Sequence, residues 1–220
     1  VAAVAQGRRI DDNIRKATRF VFAVHVPIVA LSLVPSLLHW PVLLLPVHIV
    51  LLELLIDPAC AVVFEAEPAD PHLMERPPRP ASDSPFAVWG LLYAMLQGLG
   101  MAAVLMLGQD WLVHQGWSTA QGRSVVFGTL VLGVMLLILT HRDATRSIWQ
   151  SLIAPNPWLP HMALGMSALV IAMLGIPWLR DLMGLAVPPP DGLAACAVLL
   201  GLCMLWLELM RQVTQHITKR

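Results

Sequence analysis

LLELLIDPAC, residues 51–60, decides how this chain is read. It lies inside a long apolar run, yet Glu53 and Asp57 stand four residues apart within it, with Pro58 beside them. One ionisable side chain at the centre of a bilayer costs about 2.5–3.5 kcal/mol on insertion scales, and such residues mark ion paths and proton relays. The i, i+4 spacing puts both carboxylates on one helical face. Two like charges there repel, so one holds a proton or a cation sits between them. Pro58 lacks a backbone donor, frees the Leu54 carbonyl and is expected to kink or unwind the helix. Irregular backbone at that depth is tolerated where it lines a cavity or a site. Carboxylates and freed carbonyls are hard oxygen ligands, suited to a hard cation or a proton.

The surrounding composition makes the bilayer the solvent. Of 220 residues 57% are apolar and 13% charged, and the mean hydropathy is +0.71. Soluble domains run near 45–50% apolar and about 25% charged. The formal net charge is zero, which gives no electrostatic basis for binding nucleic acid. Cys60, Cys196 and Cys203 all lie in apolar runs, so neither a disulfide framework nor a zinc site is expected. The chain opens on Val1 with a polar segment that is no signal peptide, and it is expected to be a piece of something longer.

A spanning helix needs about 20 apolar residues. Six runs qualify: roughly 20–39, 42–65, 86–107, 124–140, 159–179 and 192–210. They are continuous rather than alternating, which predicts an all-α polytopic membrane protein of six transmembrane helices in three hairpins. The first hairpin is expected to turn tightly at His39-Trp40-Pro41. Domains follow: a stalk at 1–19, an acid-bearing hairpin at 20–65, a Pro-rich loop at 66–85, a supporting four-helix bundle at 86–210 and a tail at 211–220. With six spans, Arg8, Arg9, Arg15, Lys16, Arg19, Arg76, Arg79, Arg142, Arg146, Arg211, Lys219 and Arg220 share one side. Only Arg123 and Arg180 remain on the other. The positive-inside rule then places both termini and the Pro-rich loop in the cytoplasm, with the chain in a plasma or inner membrane. Trp40, Trp89, Trp111, Trp158 and Trp178 fall near predicted interfaces as an aromatic belt.

Counting from Trp40, His25 lies fifteen residues back, Glu53 thirteen on and Asp57 seventeen on. Antiparallel neighbours would therefore bring His25 level with the two acids. Pro27 is expected to disturb its helix and free the Ala23 carbonyl. His25, Glu53 and Asp57 form the candidate cation-binding set, with Glu53 and Asp57 as metal ligands and Pro27 and Pro58 as helix breaks. Packing explains His25 equally well, and a bond to another helix would explain the acids. His48 reads as a packing residue, Glu208 and Arg211 as an ion pair, and Gly98, Ala102, Gly128 and Gly133 as close helix contacts.

Longer stretches carry a resemblance. GRRIDDNIRKATRF, the Pro41 hairpin, LLPVHIVLLELLIDPACAVVFEAEP and DPHLMERPPRP resemble the carboxy-terminal membrane region of cation-transporting P-type ATPases, helices five to ten. The specific motifs lie between Gly7 and Pro80; the last four spans match by number and length. The resemblance implies that Asp57 is the cation-binding Asp of the sixth helix. Glu53 falls where calcium pumps carry Asn, and His25-Val26-Pro27-Ile28 falls where they carry Asn-Val-Gly-Glu. One acid is exchanged for another, which leaves Ca2+, Mn2+, another divalent ion or H+ as the transported cation. Asp57-Pro58-Ala59-Cys60 is not the Cys-Pro-Cys of the copper and zinc branch. The phosphorylation, dephosphorylation and hinge motifs of the family do not occur in the sequence. The resemblance therefore implies no ATP hydrolysis by this chain alone. ATP and Mg2+ would act only through catalytic domains, which with helices one to four would be its partners besides the lipid bilayer. A non-catalytic remnant or regulatory subunit, and a small proton-coupled transporter, are the alternatives.

Overall fold

A computed structural model of the chain describes residues 2–70, 73–75, 77, 88–143 and 146–218, without the side chains at 60–61 and 216–218. Among the described residues it is all-helical and has no strand. Five helices are long and apolar enough to cross a membrane: α1 (Ala2–Leu37), α2 continued by a π turn (Pro46–Phe64), α3 (Val88–His114), α4 (Thr119–Arg142) and α8, over Gly192–Gln215. A shorter apolar helix, α6 (Leu159–Gly175), covers most of the expected fifth span. Two six-residue helices, α5 (Ile148–Ile153) and α7 (Pro177–Leu182), flank it. Most of the Pro-rich loop, including Arg76 and 78–80 of its MERPPRP run, lies outside the described residues, as do Lys219 and Arg220.

Local chemistry sets the boundaries. Ser118 and Gln121 form a reciprocal capping box at the start of α4, and Ser147 and Gln150 do the same for α5. Pro46 opens α2, where its missing N–H costs nothing. His48, one turn in, accepts the Leu45 N–H at Nδ1 (3.1 Å). At the end of α1, His39 adopts φ +57°. The Trp40 N–H reaches the Pro35 carbonyl at 2.8 Å and the His39 N–H reaches Ser36 at 3.4 Å. This is a Schellman ending with His where glycine is usual.

Two expectations are corrected here. The first connection is not a turn at 39–41 but residues 38–45, because α2 starts only at Pro46; Leu43 and Leu44 are buried within it. Nor does Pro27 break its helix, since α1 runs on for 36 residues through it. Its effect is felt by the neighbour instead. A β-carbon on Gly98 of α3 would lie 2.2 Å from the Ala23 carbonyl oxygen and 3.0 Å from the Pro27 ring. The carbonyl that Pro27 cannot engage is thus covered by a backbone that only glycine brings so close. After Pro58, the last residue of α2, the α-helical pattern gives way to a π turn over Ala59–Phe64.

Helix α4 is the most enclosed, with 83% of its apolar window buried. Trp206 of α8 lies over Gly100 of α3 and donates Nε1 to the Gln97 carbonyl at 3.2 Å. Met101 of α3 covers Gly133 of α4. At one end of the bundle, that of Ala2, the start of α1 meets the residues after α2, and the end of α4 meets the residues before α6. At the opposite end, Arg123 donates to the carbonyls of Val42 and Gly184, both at 2.8 Å. The belt residues Trp40, Trp89, Trp111, Trp158 and Trp178 are all exposed.

Candidate functional site

The first candidate is the acid-bearing face. His25 donates Nδ1–H to the Val21 carbonyl at 2.7 Å, which fixes the ring along α1. Its other nitrogen, Nε2, lies 3.3 Å from Glu53 Oε1, and both side chains are 41% exposed. With Nδ1 used as a donor, Nε2 is the ring nitrogen that faces the Glu53 carboxyl group.

Asp57 lies one turn further along α2 and is exposed, as is Leu54 at 67%. The structure joins His25 to Glu53 and leaves Asp57 outside that pair. Among the described residues no three His, Cys, Asp or Glu side chains are grouped to hold a metal ion. This face of α1 and α2 is open, and His25 and Glu53 are the polar side chains that meet on it. Pro58 and the π turn follow Asp57 directly. His48 takes no part: it is fully buried and stacks on Phe127 with ring centroids 4.5 Å apart. Glu208 and Arg211 form the expected ion pair on α8.

Sequence reasoning missed the second cluster, at the stalk end of α2. Glu67 is 6% exposed and Arg142 only 1%. Arg142 Nε donates to Glu67 Oε2 at 2.8 Å, and its terminal nitrogen donates to Oε1 at 3.3 Å. The same guanidinium donates to the carbonyls of Ser151 (2.6 Å), Ala154 and Pro155 (both 3.3 Å). Asn156 Nδ2 donates to Glu67 Oε2 at 2.9 Å and to the Val63 carbonyl at 3.1 Å. From α1, Arg9 and Asn13 donate to the Glu67 carbonyl at 3.2 and 3.3 Å, and Arg9 also reaches Glu65. The last carbonyls of a helix lack intrahelical donors. Here side chains from two other parts of the fold supply them. The cluster joins residues 75 and 89 positions apart, and the only local hint is an acid at the end of an apolar run.

A family model described as the C-terminus of cation-transporting ATPases matches residues 41–213. The calcium-transporting ATPase 1 of Lactococcus lactis is 24% identical over 207 residues, covering 93% of this chain and 23% of that protein. The calcium-transporting ATPase of Bacillus subtilis is 25% identical over 192 residues, 86% of this chain and 22% of that one. The endoplasmic reticulum-type calcium-transporting ATPase 4 of Arabidopsis thaliana is 32% identical over 106 residues, 47% of this chain and 10% of that one. The chain thus spans less than a quarter of the length of these relatives.

Proposed function

The chain belongs to the family of cation-transporting ATPase C-termini, and on that premise we propose that it is the cation-binding membrane module of an ATP-driven pump. In this reading Glu53 and Asp57 bind the transported cation and His25 adjusts the charge of Glu53. The observation that carries it is the His25–Glu53 contact at 3.3 Å on an open face, one helical turn from Asp57 and its π turn. An imidazole nitrogen and a carboxyl group that face each other between two helices give the site two donor types side by side. Its open side fits a face completed by membrane helices that precede this segment in a longer pump. Those helices and the ATP-hydrolysing domains are its proposed partners.

The module would comprise six spans in three hairpins with both termini cytoplasmic, as the Lys and Arg distribution favours. The relatives named calcium-transporting make Ca2+ the first candidate. His25, a ligand type that suits transition metals better than Ca2+, keeps Mn2+ and H+ in view. Phosphorylation in the catalytic domains would move the stalk, displace α1 against α2 and change the affinity at the acids.

The test is cation uptake into vesicles by the uninterrupted reading frame that contains this chain. Asp57→Asn is expected to abolish Ca2+- or Mn2+-stimulated ATP hydrolysis and uptake together. Wild-type uptake by that variant would remove Asp57 from the site and leave the remnant or regulatory-subunit reading standing.

A further inference from the structure

We propose that Glu67 is a positioning residue for the acid-bearing helix: held by Arg142 and Asn156, it pins one end of α2 and confines changes in its winding to the π turn beside Asp57. The inference rests on the reading of Glu53 and Asp57 as the cation-binding face.

Helix α2 is attached at both ends. At its Pro46 end, His48 stacks on Phe127 of α4, and Arg123 of α4 holds the Val42 carbonyl just upstream. At its other end Glu67 is gripped by Arg142, also of α4, and by Asn156. Both ends are therefore tied to the most enclosed helix of the bundle. The stretch between them carries the half-exposed Glu53 and the exposed Asp57. A helix fastened at both ends cannot slide as a rod, and any adjustment has to be made where its hydrogen bonding departs from the α pattern.

That place is Ala59–Phe64, the π turn that begins directly after Pro58. Converting a π turn to α changes the register by one residue, about 1.5 Å of rise and about 100° of rotation. With both ends fastened, such a change falls on the stretch between them, beginning at Asp57 beside the turn. Arg9 and Asn13 bring α1 to the same point through the Glu67 carbonyl, so a moving α1 bears on the anchored residue.

The experiment is amide hydrogen exchange on the complete chain in lipid nanodiscs, with no cation added. Glu67→Ala is expected to raise exchange roughly tenfold over residues 59–67, spreading toward Glu53, while residues 119–142 keep their protection. Asn156→Ala removes three hydrogen bonds, to Val63, to Glu67 and from the Trp158 N–H, and no charge, and is expected to give a smaller rise at the same place. It serves if the Glu67 variant does not fold. Unchanged exchange over 59–67, or an equal rise in every helix, overturns the proposal, because a merely stabilising contact would act on the whole bundle. The measurement contains no cation, whereas the cation reading is judged by uptake in Asp57→Asn, so failure of the cation reading and failure of the anchor are seen separately.

Discussion

Truncating Glu67 to alanine is the sharpest thermodynamic test of the buried cluster. The substitution removes two hydrogen bonds from Arg142 and one from Asn156, and leaves a guanidinium that is 1% exposed without its counter-charge. Breaking one side of a buried pair costs about 3–5 kcal/mol. Arg142 keeps three carbonyl acceptors, at Ser151, Ala154 and Pro155, which places the expected loss at the lower limit, about 3 kcal/mol. Glu67→Gln retains one acceptor oxygen and is expected to lose about 1–2 kcal/mol. The decisive comparison is Glu67→Leu combined with Arg142→Met. With both charges gone, the double variant is expected to be more stable than Glu67→Ala, though below wild type because the Ser151, Ala154 and Pro155 carbonyls lose their donor. The assay is unfolding by SDS in mixed micelles, followed by far-UV ellipticity. A loss under about 0.5 kcal/mol for Glu67→Ala, or a double variant no more stable than Glu67→Ala, would refute the reasoning.

Other outcomes follow from the same contacts. Gly98→Ala sets a β-carbon against the Ala23 backbone, which cannot swing aside; it is expected to cost about 1–3 kcal/mol, whereas Gly165→Ala, with nothing within 4 Å, should stay within about 0.5 kcal/mol in the same unfolding assay. Trp206→Phe loses the bond to the Gln97 carbonyl and is expected to cost about 0.5–1 kcal/mol, read by thermal unfolding in detergent. In a complete pump, Glu53→Gln is expected to change apparent cation affinity and its pH dependence, and His25→Ala to shift the same pH dependence; unchanged profiles in both would assign the 3.3 Å contact to packing.

The helices were legible because continuous apolar runs leave few choices in a bilayer, and α1, α3, α4 and α8 fall where their runs do. The meeting of His25 and Glu53 was legible from residue counts, although the turn used for counting is not there. His25 lies 12 residues before the end of α1 and Glu53 7 residues after the start of α2, about 18 and 10.5 Å along their axes. They meet because residues 38–45 fold back toward the bundle and bury Leu43 and Leu44, making up the difference. Pro27 and Pro58 show why a residue type alone does not settle a break. Pro27 is matched by a glycine on the facing helix and α1 continues, while Pro58 ends the α pattern. The Glu67 cluster was illegible because each member has an ordinary local role, an acid in a loop or an arginine at a span end. Only the fold brings Arg142 and Asn156 to it.

The unbroken course of α1 has a mechanical consequence. A rod of 36 residues is about 54 Å long. One close lateral contact is the notch where Gly98 receives Ala23, Val26 and Pro27. That notch is the fulcrum of a lever, with about 34 Å of arm toward Ala2 and about 18 Å toward Leu37. Each ångström of sideways travel at the stalk tip becomes about half an ångström, in the opposite direction, at Leu37. His25 sits at the fulcrum itself, where the lever turns but hardly travels, so tilting α1 swings the imidazole against Glu53 without carrying it away.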